Sequence, residues 1–196
     1  MKKNIKNISK KTLYSGFFKL YQFTFNHKKH DGTWGKLVTR EIFSGAQVAA
    51  VLPFDPNKKK IILIDQFRNG LIESKHNVII KEIVAGYIDK DETPKEAAIR
   101  ECKEETGCTA HNLKKILSYY PAPGSSQSFY HLFLAEVNSF SEERIVGNID
   151  EDEDILVRSY TLQEVKKMLD NGKIINGLTI IALQWFFLNY YKHLSS

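Results

Sequence analysis

Three glutamates on one predicted helix are the residues of this chain best suited to chemistry. Glu101 lies three positions before Glu104 and four before Glu105, so a helix turning 100° per residue places all three carboxylates on one face. Like charges at these spacings destabilise a helix by about 0.2–0.5 kcal/mol per pair. A bound cation would offset that repulsion, and hard oxygen ligands favour Mg²⁺ or Mn²⁺ over zinc. Spacing alone leaves a solvated acidic face equally open.

Clear helix signals surround these carboxylates. Thr93 is a candidate N-cap, Pro94 follows at the first helical position, and Glu96 completes a capping box. Gly107 stands where a helix would end, so we predict a helix from Pro94 to Thr106. The apolar face of this helix, predicted to pack on a sheet, consists of Ala98, Ile99 and Cys102.

Most of the remaining chain is predicted to form strands, which gives an α/β (α+β) fold with a mixed sheet and helices on its faces. A second capping box, Thr161 to Glu164, opens a helix that ends near Gly172, and a last helix follows from about Gly177 to His193. Residues 1–12 are polar and are expected to be frayed. Strands are predicted at 17–25, 34–43, 48–54, 60–67, 78–84, 113–120, 129–137 and 155–160.

The charge balance argues against a nucleic-acid partner. The chain has 196 residues, enough for one domain with an extension, and 26% of them are charged. Residues 1–30 carry eight Lys and no acidic residue, so the net charge of +5 leaves −3 for the other 166 residues. A basic surface over the whole protein is therefore not expected.

Cysteine content and hydropathy favour a reduced, cytoplasmic protein. The chain has only two cysteines, Cys102 and Cys108, which excludes a disulfide framework and a four-cysteine zinc site. They are six positions apart and therefore do not form a Cys-x-x-Cys pair. The first residues contain no apolar core of the kind a signal peptide has. The apolar stretch from Leu178 to Leu188 is shorter than the roughly 18 residues that a membrane span needs. We therefore expect no membrane partner.

The segment from Gly86 to Cys108 resembles the Nudix box, Gly-x5-Glu-x7-Arg-Glu-U-x-Glu-Glu-x-Gly-U, in which U is a bulky apolar residue. Cysteine at both U positions is a mild departure, because buried Cys behaves as a small hydrophobic residue. All seven fixed positions match, at Gly86, Glu92, Arg100, Glu101, Glu104, Glu105 and Gly107.

This resemblance implies a Nudix-type α/β/α sandwich that hydrolyses a nucleoside diphosphate linked to another moiety. It also implies that Glu92 and Arg100 form an ion pair that orients the loop and the helix. Clustered cations would neutralise the diphosphate and lower the pKa of a bound water. The implied metal ligands are Glu101, Glu104, Glu105 and the carbonyl of Ala85.

Resemblance to the bacterial ADP-ribose pyrophosphatase branch of this family extends from about Thr12 over nearly the whole chain. That branch is marked by a proline about 15 residues after the box, and Pro123 follows Cys108 by 15. The resemblance implies Mg²⁺-dependent hydrolysis of ADP-ribose to AMP and ribose 5-phosphate, with Mn²⁺ as the alternative cation. It also implies a homodimer in which residues 1–45 form a dimerising β-segment and 46–196 the hydrolase domain. The matching segments are 13–18, 40–43, 52–56, 66–68, 82–86, 123–124, 151–157 and 181–185.

The same resemblance assigns further site residues. Phe17 would stack on the adenine, although core packing is its ordinary interpretation. Arg40 and Arg68 would contact the diphosphate or the terminal ribose, since Arg binds phosphate bidentately. In the acidic loop 150–154, which alone would be a solvated loop, Glu151 would be the catalytic base and Glu153 the second choice. The remaining members of the implied substrate-binding set are Glu82 and Gly124.

Two departures leave the sugar open. The family commonly has Gly-Thr-Ser-Glu after Pro-Gly, whereas this chain has Ser at 128 in place of the Glu, and Ile79 replaces a common Trp. GDP-mannose hydrolysis or a broad nucleotide-sugar diphosphatase is therefore the alternative activity. A non-catalytic ADP-ribose-binding sensor is a further alternative, but a sensor has no need of the intact glutamate set.

Overall fold

A computed structural model of the chain describes residues 4–147 and 153–194. The strands are β1 (Ile5–Ser15), β2 (Lys19–His27), β3 (Val38–Phe43), β4 (Gln47–Asp55), β5 (Lys60–Phe67), β6 (Ile79–Glu82), β7 (Val84–Tyr87), β8 (His111–Tyr119), β9 (Phe129–Glu136), β10 (Arg144–Val146) and β11 (Ile155–Thr161). The helices are α1 (Pro94–Thr106), α2 (Leu162–Asp170) and α3 (Gly177–Trp185). The chain divides into two compact units, one extending to Gln47 and including Tyr120–Phe129, the other formed by Val48–Tyr119 and the residues from Tyr130 onward.

The first unit contains an antiparallel sheet in the order β1-β2-β3. The expectation that residues 1–12 are frayed is wrong for Ile5 to Thr12, because β1 pairs with β2, with bulges between Lys6 and Ser9 and between Thr12 and Tyr14. The first three residues lie outside the described part of the chain. Lysine ammonium groups of β1 also lie over aromatic rings; the Nζ of Lys10 is 3.4 Å from the centroid of Tyr21. Backbone pairing and these cation–π contacts hold a strand that has no apolar alternation.

The second unit is built on a mixed sheet with the order β10-β11-β5-β4-β9-β8, in which β6 pairs with β5 and β7 with β4. Alternate residues of β5 point to opposite faces. Ile62 and Ile64 belong to one core cluster with buried residues of α1, while Ile61 and Leu63 belong to another with α2 and α3. Helices therefore cover both faces of the sheet, and the predicted α/β/α sandwich is confirmed.

Helix α1 has the predicted bounds and both predicted terminal features. The Thr93 hydroxyl accepts from the backbone N–H of Glu96, whose carboxylate accepts from the N–H of Thr93. Gly107 ends the helix with φ of 70°, the left-handed region that favours glycine. The prediction that Ile99 packs on the sheet is wrong, since this side chain is 37% exposed. The buried face is instead formed by Ala97, Ala98, Cys102, Glu105 and Thr106.

Further differences concern the number of elements and their boundaries. The predicted strand 34–43 is observed only from Val38 to Phe43. The predicted strand 78–84 is divided at Ile83 into β6 and β7, and β10 was not predicted. The last helix ends at Trp185, and a π-helical turn and a 3-10 turn continue the chain to Leu194. No helix within the described ranges has both the length and the apolar character of a membrane span.

Candidate active site

Two residues near the start of β7 lie directly against carboxylates of α1. The backbone N–H of Ala85 donates to Oε2 of Glu105 over 3.1 Å. At Gly86 an added Cβ would lie 1.9 Å from Oε1 of Glu101. A side chain cannot occupy that position unless the Glu101 carboxylate moves, so the glycine allows the strand and the acidic face of the helix to approach.

Gly86→Ala is expected to lower activity by at least about tenfold with the fold retained, because displacing a positioned functional group by about 1 Å can cost roughly 100-fold. Steady-state kinetics and circular dichroism would measure the two effects. Gly70→Ala is the matched control, since no heavy atom lies within 4 Å of its added Cβ. Equal activities for the two variants would contradict the importance of the Gly86–Glu101 approach.

Glu101 and Glu105 form an acidic cluster. Burial and mutual repulsion disfavour the ionised form of these two carboxylates when no positive charge is bound. Glu105 is 5% exposed, and burial raises its pKa well above the ordinary value, with repulsion from Glu101 and Glu153 adding to the effect. Burial also raises the pKa of Glu101, despite the hydrogen bond it receives from an arginine. Proximity to Arg68 only partly offsets the charge on Glu105. The cluster therefore favours a proton or a cation.

Arg100 connects the helix to the preceding loop. Its Nε and Nη2 each donate to Glu92 over 3.0 Å, which confirms the predicted ion pair. Nη2 also donates to the carbonyl of Tyr87, while Nη1 donates to Glu101 over 2.7 Å and to Glu104 over 2.9 Å. The hydrogen bonds that Arg100 donates to Glu92, Glu101 and Glu104 raise its pKa, so it stays charged.

No three acidic, histidine or cysteine side chains in the described part of the chain are gathered closely enough to hold a metal ion. In this arrangement Glu101 and Glu104 are both bound by Arg100. The residue types nevertheless fit a hard divalent cation, since the donors are carboxylate oxygens and the buried Glu105 carboxylate is disfavoured without a positive charge. The metal ligands remain a prediction.

One of the two candidate base residues lies beside this cluster. Glu153 accepts a hydrogen bond from Nε2 of Gln66 over 3.2 Å, and its charge contributes to the raised pKa values of Glu101 and Glu105. Gly147 and Glu153 approach each other closely, because a Cβ on Gly147 would lie 2.2 Å from the carbonyl oxygen of Glu153. Glu151 lies outside the described residues.

A buried carboxylate holds the predicted phosphate-binding arginine. Arg68 donates from Nε to Oε2 of Glu82 over 2.9 Å and also donates from Nη2 to the same oxygen. Burial opposes the charge on Arg68, but the bonds to Glu82 outweigh it, so its pKa is raised. Oε1 of Glu82 accepts from Nδ2 of Asn176 over 2.7 Å.

Neither Gln66 nor Asn176 was identified as a site residue from the sequence. Asn176 precedes the glycine that opens α3, and Asn is a favoured N-cap residue, so a search for caps would have found it. Gln66 continues the buried alternation of β5 after Ile62 and Ile64. A polar residue at a position of β5 that is expected to be buried was the signal that could have identified Gln66.

The remaining predicted substrate-binding residues belong to the first unit. Phe17 lies between β1 and β2 with 84% of its surface exposed, so it is not a core residue, and its ring packs edge-on against Phe18 at 4.9 Å. Arg40 on β3 donates to the carbonyl of Thr39. No heavy atom lies within 4 Å of a Cβ added to Gly124. Ser128, at the departure from the family pattern, accepts from the N–H of Ala46.

Comparison with known proteins identifies relatives along nearly the full length. The model of the NUDIX domain matches residues 45–178. An ADP-ribose pyrophosphatase of Haemophilus influenzae is 37% identical, covering 95% of this chain and 88% of the relative. One from Escherichia coli K12 is 34% identical, with coverage of 96% and 90%. A GDP-mannose pyrophosphatase of Salmonella arizonae is 30% identical, covering 97% and 98%.

A solved structure supports the same fold. The crystal structure of an ADP compounds hydrolase matches with a TM-score of 0.74 and covers 95% of each chain. Its sequence is only 19% identical, so this likeness speaks for the architecture and not for the substrate.

Proposed function

This chain belongs to the NUDIX domain family, and we propose that it hydrolyses the diphosphate bond of ADP-ribose to give AMP and ribose 5-phosphate. The observation that carries the proposal is the acidic cluster of Glu101 and Glu105, which α1 places against Ala85 and Gly86 of β7, in a protein related over most of its length to ADP-ribose pyrophosphatases. A sensor that only binds ADP-ribose would have no use for this cluster, so we regard the protein as an enzyme.

The residues divide the work between binding the substrate, holding charge and moving a proton. Arg68 binds the diphosphate, because its guanidinium offers a planar pair of donors that matches phosphate oxygens. Phe17 stacks on the adenine. Glu151 accepts the proton of the attacking water, with Glu153 as the alternative base. Completing the proposed substrate-binding set are Arg40, Glu82 and Gly124.

A divalent cation, Mg²⁺ or alternatively Mn²⁺, completes the proposed site. Glu101, Glu104 and Glu105 hold it together with the carbonyl of Ala85. When bound, such a cation neutralises diphosphate charge and lowers the pKa of a water ligand. Its charge would also offset the cost of ionising the buried Glu105.

The identity of the substrate is tested by measuring hydrolysis of a panel of nucleotide sugars in the presence of Mg²⁺. A coupled phosphatase releases phosphate from AMP and ribose 5-phosphate but leaves intact diphosphate diesters uncut. We expect the highest kcat/KM for ADP-ribose. Preference for GDP-mannose would support the second candidate, which the departures at Ser128 and Ile79 leave open. The GDP-mannose pyrophosphatase relative, at 30% identity, supports it less strongly than the ADP-ribose pyrophosphatases support the first. Release from no member of the panel would contradict both.

We further propose a cytoplasmic homodimer in which residues 1–45 pair with a second copy. Its support is the set of exposed apolar side chains on the N-terminal unit, which include Phe17, Phe18 and Leu37. Both cysteines are free and buried, which suits a reducing compartment. Analytical ultracentrifugation is expected to give a dimer at micromolar concentration. An active monomer under those conditions would contradict the exchange of N-terminal strands.

A further inference from the structure

Glu82 is held from two directions by different elements. Its Oε2 accepts from Arg68 of the segment after β5, and its Oε1 accepts from Asn176, 2.7 Å away. Glu82 is only 4% exposed. Each oxygen thus has its own partner, which fixes the carboxylate and, through it, the orientation of the Arg68 guanidinium.

Asn176 is itself fixed by the start of α3. Its Oδ1 accepts from the backbone N–H of Thr179 over 2.9 Å and from the Thr179 hydroxyl over 3.0 Å. That buried hydroxyl accepts in turn from the N–H of Ile83, the residue between β6 and β7. Because Oδ1 faces two donors and Nδ2 faces a carboxylate, the amide has one favourable orientation.

We propose that Asn176 is a positioning residue that holds Glu82 and thereby aims Arg68 at the diphosphate of the substrate. The proposal rests on the proposed function for the identity of the ligand that Arg68 binds. The N-terminus of α3 then has a role beyond packing, because its N-cap residue fixes Glu82 and, through Glu82, the orientation of the Arg68 guanidinium. The role of Asn176 concerns ground-state binding, since the residue lies behind Glu82 and touches no reacting group.

Asn176→Asp separates this role from helix capping. Asp is as good an N-cap as Asn, so the bond to Thr179 is retained. Its second oxygen, however, faces the Glu82 carboxylate in place of a donor, and the repulsion displaces Glu82 from Arg68. Loss of a buried hydrogen bond to a charged group corresponds to a factor of roughly 10–100 in binding. We therefore expect KM for ADP-ribose to rise by that factor, with kcat changed by less than about threefold.

A second substitution supplies a rescue. In the pair Asn176→Asp with Glu82→Gln, the new amide nitrogen donates to the introduced aspartate while the amide oxygen still accepts from Arg68. The hydrogen bond between positions 82 and 176 is restored with donor and acceptor exchanged, and the one donated by Arg68 keeps its direction. We expect the pair to recover most of the lost affinity, whereas independent effects would multiply.

Two controls separate positioning from stability. Thr161→Ala removes the corresponding N-cap of α2 and should lower the melting temperature without changing KM. Asn176→Ser keeps a capping hydroxyl but is too short to reach Glu82, so it should raise KM even if Asn176→Asp folds poorly.

NMR of arginine side chains gives a readout that does not depend on the substrate. Arg68 is one of five arginines, and its Nε–H signal is identified by its loss in Arg68→Lys. We expect slow solvent exchange of this proton in the wild type, faster exchange in Asn176→Asp and recovery in the pair. If the wild type does not hydrolyse ADP-ribose, this pattern still supports positioning, and KM is measured with the nucleotide sugar that it does cleave. Unchanged exchange and KM in Asn176→Asp, or no recovery in the pair, would overturn the proposal.

Discussion

Replacing Glu105 with glutamine is expected to lower kcat for ADP-ribose by roughly 1,000-fold, because a bound cation contributes several kcal/mol of charge stabilisation to such reactions. Glutamine keeps the length of the side chain and an oxygen that can accept from the Ala85 N–H. The fold should therefore be retained while the charge that holds the cation is lost. Steady-state kinetics over a range of Mg²⁺ concentrations measure both kcat and the cation dependence.

The same substitution is expected to stabilise the metal-free protein at neutral pH. Burial raises the pKa of Glu105 in the folded state, above about 4.3 in the unfolded chain. The folded state thus binds the proton more tightly, and stability falls as pH rises from the unfolded pKa through the folded pKa. Glutamine does not ionise, so Glu105→Gln does not lose stability over this pH range. In EDTA its melting temperature should therefore exceed that of the wild type at pH 7–8. The difference should vanish near pH 4.

Adding Mg²⁺ should reduce or reverse the difference in melting temperature between Glu105→Gln and the wild type, because a ligand stabilises the form that binds it. Glu96→Gln is the matched control on the same helix, since glutamine also completes a capping box. It should leave kcat unchanged and should not raise the melting temperature at pH 7–8, because hydrogen bonds to Thr93 lower the pKa of Glu96 and its ionisation does not oppose folding there. Near-normal turnover in Glu105→Gln would refute the metal-binding role of this face.

Glu151→Gln is expected to lower kcat by about 10²–10⁴-fold with little change in KM, the usual effect of removing a positioned general base. The carboxylates of α1 are assigned to the cation, whose charge suppresses their proton affinity. A carboxylate from the acidic loop is therefore needed to take the proton. Measurements at saturating Mg²⁺ across pH 6–9 separate loss of the base from loss of the cation.

Glu153→Gln should have a smaller effect on kcat or act mainly on metal affinity. Glu153 is bound by Gln66 and close enough to Glu101 and Glu105 to raise their pKa values. Glu142→Gln, an exposed acidic position before β10, serves as the control. A larger kcat loss for Glu153→Gln than for Glu151→Gln would move the base by two residues. Small losses in both would mean that the reaction needs no protein base.

Features fixed by local interactions could be predicted from the sequence. The bounds of α1 followed from Thr93, Pro94 and Gly107, because capping and the left-handed C-terminal residue depend on neighbours in the chain. Strand β5 was also predicted with its observed bounds, since its apolar run matches a strand buried on both faces. The ion pair of Arg100 with Glu92 came from the spacing of the family signature.

Features that depend on distant partners could not. Strand β1 exists because β2 pairs with it, and no pattern in its own residues indicates that. Glu105 was assigned to an acidic face, but it is buried between α1 and β7, which only the packing of the helix reveals. Asn176 and Glu82 are 94 residues apart in sequence, so their contact depends on the assembled sheet and helix.

Identification of the products by liquid chromatography and mass spectrometry tests most directly whether this chain cleaves the diphosphate bond of ADP-ribose. Purified wild type and Glu105→Gln would be incubated with ADP-ribose and Mg²⁺ under identical conditions. AMP and ribose 5-phosphate should appear in equal amounts with the wild type and at roughly a thousandth of that rate with the variant. Intact ADP-ribose after incubation with the wild type, or cleavage to ADP and ribose, would contradict the assignment.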